Sequence, residues 1–109
     1  MKNWYKNLED RFPALERETQ VLHTVSDLLK AKNLQEVNAE SAKNHTLRAI
    51  ILLDFIIADP KWNAKLGELL RLREVIASLF VDTQPLGTID QVITAALLLD
   101  CNAYRILGK

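Results

Sequence analysis

A chain of 109 residues can bury a core of its own without disulfides or metals, but it has little material for a second module, so we expect a single domain spanning 1–109. Its 14 basic and 14 acidic side chains cancel, and no block of like charge occurs. The footprint of a phosphate-backbone or anionic-membrane binder is therefore missing, which argues against nucleic acid and membrane partners. Cys101 is the only cysteine, so no intramolecular disulfide can form, and the N-terminal residues hold no apolar run of signal-peptide length. Both features point to the cytoplasm as the expected location. Apolar residues make up 49% of the chain, with three glycines and three prolines, a composition that favours long regular helices over disorder.

Trp4, Leu8 and Phe12, at i, i+4 spacing, predict a short helix over 3–12 that lids one end of a bundle. The alternative role for Trp4 and Tyr5, flanked by Lys2 and Lys6, is a membrane or peptide-docking edge. Asp10 is placed to cap the next helix, with Pro13 in its first turn and Glu16 and Glu18 complementing the helix dipole. This helix is expected to run to about Lys32. Leu15, Val21, Leu22, Val25, Leu28 and Leu29 form its apolar stripe, and Glu16, His23, Asp27 and Lys30 gather on the opposite, solvated side.

Asn33 can end that helix and, with Glu36, start the next, which gives a tight helical hairpin. The second helix is expected over 34–58, with a possible bend or break in its weaker stretch, 41–46. Its distal half, 47–58 (LRAIILLDFIIA), is the most hydrophobic run in the chain. It is too short to span a bilayer and is interrupted by Arg48 and Asp54, so it reads as the buried half of a central helix. Asp59 and Pro60 make the sharpest punctuation, a cap followed by a proline suited to a first helical turn. The third helix then runs to about Asp82 with Trp62, Leu66, Leu69, Leu70, Ile76, Ala77 and Phe80 on its inner face. After the turn-rich segment 83–87, Thr88 and Gln91 match a capping box, and a fourth helix from Ile89 carries Val92, Ala96, Leu99, Ala103, Ile106 and Leu107 inward. A weak internal echo links 46–55 (TLRAIILLDF) with 92–101 (VITAALLLDC). The expected fold class is an all-α, four-helix antiparallel bundle with a short additional N-terminal helix.

No Glu-x-x-His, H-E-x-x-H, C-x-x-C or glycine-rich phosphate loop is present, so no metal site and no cofactor are expected. His45 stands alone within the second helix. Cys101 has no histidine near it in sequence and reads as a bland thiol on an outer face. The charges set within apolar stripes are Glu18, Asp54, Arg73 and Asp100. Arg73 is expected to pair with at least one of these acids in a dry environment; such a pair would fix helix register rather than catalyse, while the competing reading is a guanidinium that snorkels into water. Apolar arcs wider than one packing contact requires mark Ile51, Leu52, Phe55, Leu72, Val75 and Leu79 as a candidate interface. The leading functional expectation is a small non-enzymatic protein–protein interaction module, of regulator, adaptor or immunity type, acting as a homodimer. The alternatives are a nucleic-acid-associated regulator using Lys61, Lys65, Arg71 and Arg73, and a small enzyme using the charges within the bundle.

Overall fold

The computed structural model describes residues 11–81 and 85–107, and all regular structure among them is helical. A 3₁₀ turn, Phe12–Ala14, precedes α1, Arg17–Leu34, and α2, Ala39–Ala58. A 3₁₀ helix, Pro60–Lys65, leads into α3, Leu66–Val81, followed by α4, Ile89–Leu97, and α5, Cys101–Leu107. The molecule is thus an all-α bundle. Antiparallel neighbours are visible in the pairs that meet: Asp27 with His45 between α1 and α2, and Asp54 with Arg73 between α2 and α3. The expected helix over 3–12 and the Asp10 cap lie almost wholly outside the described residues. Phe12 belongs to the 3₁₀ turn and is fully buried, 6.0 Å from the Phe55 ring and 6.2 Å from that of His23.

The first helix starts later than its sequence suggests. Pro13 sits in the separate 3₁₀ turn, Leu15 is extended, and Glu16 is the N-cap residue of α1. The hairpin joint is also displaced: Asn33 lies inside the last turn of α1, and the turn occupies 35–38. Asn38, rather than Asn33, caps α2, its side-chain oxygen accepting from the Ser41 amide at 3.1 Å. With that cap in place α2 runs unbroken through 41–46, where Thr46 turns its hydroxyl back onto the Ala42 carbonyl at 3.0 Å. A side chain satisfied by its own helix need not interrupt it.

Two rows of α1 are buried, so it shares the centre with α2. Val21, Val25 and Leu28 form the apolar row foreseen from the sequence; Gln20, Thr24, Asp27 and Ala31 form a second. Helix α1 packs on α2, α4 and α5, whereas α2 packs on α1 and α3. Leu53, Ile56, Leu69, Ile76, Val92 and Ala96 belong to the same core.

At the end of the bundle where α1 begins, Gln20 uses both ends of its amide. Its Nε2 donates to the Phe12 carbonyl at 2.8 Å and to Asp59 Oδ2 at 3.3 Å, while its Oε1 accepts from Trp62 Nε1 at 2.7 Å. Asp59 caps the 3₁₀ helix as the sequence implies, but α3 itself begins only at Leu66. Displaced by that leading 3₁₀ segment, Leu66 and Leu70 are exposed rather than inward-facing.

The capping box at Thr88 and Gln91 is present. The helix it starts is broken at 98–100, because Asp100 Oδ1 accepts from the amides of Asn102 and Ala103 and restarts the chain as α5. The break re-aims the last helix: Ala103 is buried, but Ile106 and Leu107 are exposed, contrary to the single-stripe expectation. The echo between 46–55 and 92–101 is correspondingly not structural, since one segment is continuous helix and the other is not.

Candidate functional site

A groove of about 400 Å³ lies between α3 and α4. Its floor and walls are Leu72, Val75, Val92, Ala95 and Leu99, its lips are Leu86 and Leu98, and Glu68, Arg71 and Gln91 supply polar edges. The lips are 62% and 59% exposed, a high value for leucine side chains facing one opening. The groove is pre-formed by local chemistry. Ser78 Oγ donates to the Val75 carbonyl at 2.6 Å and accepts from the Leu86 amide at 3.0 Å, pinning the loop to α3. Gly87 lets the loop close down, because a Cβ there would stand 3.1 Å from Gln91 Oε1 and 3.2 Å from a Val75 methyl. Gln91 cannot yield cheaply, since its Oε1 accepts the Thr88 amide at 2.9 Å in the capping box.

The four charges singled out in the sequence do not form one cluster. Arg73 Nε donates to Asp54 Oδ1 at 2.5 Å and Nη2 to Oδ2 at 3.3 Å, a forked pair between α3 and α2. The pair is wet, not dry: the two side chains are 41% and 47% exposed. The hydrogen bond to Asp54 and that carboxylate's charge hold the guanidinium above its ordinary pKa, so it is charged at any working pH. Asp100 is spent on capping α5, and Glu18 lies partly buried in the first turn of α1. Asp54, exposed at the margin of α2, is the acid that meets Arg73.

The buried charge is Asp27, which the helical wheel placed on the solvated side. It is 5% exposed, its Oδ1 accepts from His45 Nδ1 at 3.0 Å, and it lies 3.4 Å from Arg48 Nε. A buried carboxylate held by an imidazole and a guanidinium is a register device for the α1–α2 hairpin. It also fixes which His45 nitrogen faces inward. His23, by contrast, is exposed as expected.

The candidate interface is likewise redistributed. Leu52 and Leu72 belong to the core, and Ile51, Phe55, Val75 and Leu79 are partly buried, so they do not make one open patch. Phe55 is covered by Phe12, and of the six only Leu72 and Val75 reach the groove. The basic residues of this region are dispersed into other tasks. Lys61 Nζ donates to the carbonyls of Pro13 and Leu15 at 2.8 and 2.6 Å, Lys65 pairs with Glu68 at 3.5 Å, and Arg73 pairs with Asp54. Cys101 is exposed at the start of α5. Among the described residues no group of three or more His, Cys, Asp or Glu could hold a metal ion, and no helix is long and apolar enough to cross a membrane.

No protein-family model, curated protein or solved structure matches the chain.

Proposed function

We propose that this chain is a non-enzymatic protein-interaction module of the cytoplasm, of regulator, adaptor or immunity type, whose α3–α4 groove seats the apolar side of a helix from a protein partner. The observation that carries the reading is the groove itself: a pre-formed apolar trough between two helices with leucine lips turned to water. A helix lying in such a trough removes its apolar side chains and the two lips from solvent together, at about 25 cal/mol per Å² of apolar surface covered. The polar atoms at the edge, Glu68, Arg71 and Gln91, fit the rim of a protein contact, where charge sets orientation rather than affinity.

The test is a photo-crosslinking amino acid, p-benzoylphenylalanine, placed at Leu86 in cells that make the protein. The control position is Val37, 81% exposed in the hairpin turn and remote in sequence from both groove helices. Discrete protein adducts at Leu86 and not at Val37 support the reading. Equal or absent labelling at the two positions overturns it.

A further inference from the structure

The break between α4 and α5 owes nothing to glycine or proline. Residues 98–101 read LLDC, and no residue among those described has a positive φ. Leu98 keeps right-handed helical angles, φ −70° and ψ −10°, and the Leu99 and Asp100 amides bond three residues back, to the Ala96 and Leu97 carbonyls at 3.2 and 3.3 Å. One side chain inserted into the ladder opens the helix. Asp100 Oδ1 takes the amides of Asn102 and Ala103, the two that a continuous helix would give to the carbonyls of Leu98 and Leu99. We propose that α4 and α5 are the arms of a hinge, held bent by the Asp100 cap in the free protein and joined into one helix over 89–107 when a helix seats in the α3–α4 groove. The inference rests on the docking reading above and adds how the site responds to its occupant.

Periodicity is the first argument. At about 100° per residue, Val92, Ala96, Leu99, Ala103 and Ile106 fall within about 80° of one another on a continuous helix, as a single apolar stripe. The bend splits that stripe: Val92, Ala96 and Ala103 are buried, while Ile106 is 56% exposed. On the groove side the same wheel passes through Gln91, Ala95, Leu98 and Leu99, and its continuation is Asn102 and Ile106. Joining the arms therefore carries the α4 wall about 10 Å beyond Leu99, at about 1.5 Å per residue, and brings Ile106 to the occupant's side.

Position is the second argument. Leu98 and Leu99 line the groove and are also the first two residues of the bend, so an occupant bears on the hinge itself. A ligand shifts an equilibrium only through contacts it makes in one state and not in the other; Asn102 and Ile106 supply them here. What resists the change is small. The buried residue of α5 is Ala103, which offers one methyl group, and the amides of Asn102 and Ala103 exchange a carboxylate acceptor for carbonyl acceptors, so neither state leaves them unpaired.

The hinge is tested on the free chain by the distance between spin labels on cysteines replacing Asp90 and Arg105, both exposed, in a Cys101→Ala background. On one continuous helix their Cα atoms stand about 23 Å apart, and in the bent form they are closer. Asp100→Ala removes the cap and should move the distance to about 23 Å while raising helical circular dichroism; Asp100→Asn, which keeps an acceptor oxygen, should stay bent. Cys101→Pro should also stay bent, because proline suits the first position of α5 but cannot donate to the Leu97 carbonyl in a joined helix. In cells, the benzoylphenylalanine adduct at Leu86 should fall about fivefold or more in Cys101→Pro and persist in Asp100→Ala. A wild type already at about 23 Å, or an Asp100→Ala chain that keeps the bent distance or loses helical signal, overturns the hinge. Adducts as abundant in Cys101→Pro as in wild type leave the docking reading standing and overturn its coupling to the hinge. If Asp100→Ala reaches about 23 Å but no variant forms an adduct, the docking reading falls and takes the occupant's role in closing the hinge with it.

Discussion

The lead-in to α3 and the flank of α3 itself are built on opposite principles. Where the chain enters it, Gln20, Asp59, Lys61 and Trp62 tie the 3₁₀ turn, the start of α1 and the end of α2 into one hydrogen-bonded knot, with Gln20 and Trp62 almost wholly buried and Arg17 lying 5.6 Å over the indole. Farther along, one side of α3 forms the wall of an apolar trough whose polar anchorage is a serine tether and a capping box. The contrast shows where this sequence invests in uniqueness. A saturated buried polar network has one good arrangement and penalises every other, whereas an apolar trough tolerates any occupant of the right shape. The knot is the part that the fold cannot lose; the trough is the part that the fold can offer.

Breaking the knot should produce the largest loss. Trp62→Ala empties a fully buried indole site and orphans Gln20 Oε1, so we expect about 3–5 kcal/mol in urea unfolding, with Trp62→Phe losing the hydrogen bond and part of the ring volume for about 1–3 kcal/mol. A Trp62→Ala cost below about 1 kcal/mol would show that the knot does not hold the bundle.

Acid should loosen the same knot. Burial pushes the Asp59 carboxyl up, but the hydrogen bonds from the Lys61 backbone amide, the Gln20 side chain and the Lys61 ammonium, with that ammonium's charge, together outweigh it and hold it below its ordinary value of 3.8. A carboxylate with a lower folded than unfolded pKa contributes stability that is complete above the unfolded value and is lost as pH falls through the folded one. Asp59→Asn should therefore cost most near neutrality, and the gap from wild type should narrow when unfolding is repeated below pH 3.8. A gap that stays constant down to acid pH would mean that the charge of Asp59 contributes nothing.

On the trough side the expected effects are smaller. Ser78→Ala leaves the Leu86 amide without its acceptor at a half-open position, which should cost about 1 kcal/mol and, more tellingly, speed hydrogen exchange at Leu86. An unchanged exchange rate there would show that the loop is held by packing alone.

How much of this was legible in the sequence depends on whether a residue's partner is local. The Asp59 and Thr88 caps and the apolar row Val21, Val25, Leu28 follow from spacing and were readable. Gln20, Thr24 and Asp27 were not, because a polar residue on a wheel looks solvated unless its distant partner is known; the structure supplies Trp62 for one and His45 and Arg48 for another. A single shift hid the second pairing. With the hairpin turn at 35–38, Asp27 lies eight positions before it and His45 seven after it, and antiparallel helices bring such positions together. Placing the joint at Asn33 removes that near-symmetry. The groove was half visible: Leu72 and Val75 were marked as surplus apolar surface, but Leu86 and Leu98 sit in a loop and at a helix end, where no period exposes them.

The smallest effect belongs to the pair that the sequence made most prominent. Arg73 and Asp54 have the fork geometry of a strong contact, and in a dry core removing one partner would strand a charge at a cost of about 3–5 kcal/mol. Here both side chains are nearly half exposed, so water takes over the carboxylate as soon as the guanidinium leaves. Exposed pairs contribute about 0.2–1 kcal/mol, and Arg73→Ala should fall in that range, with a double-mutant cycle against Asp54→Ala giving a coupling that shrinks as salt is raised. A cost above about 2 kcal/mol, or a coupling indifferent to salt, would mean that the pair is sheltered in solution. The α2–α3 crossing would then belong with the knot in fixing the fold, on the far side of the comparison from the trough.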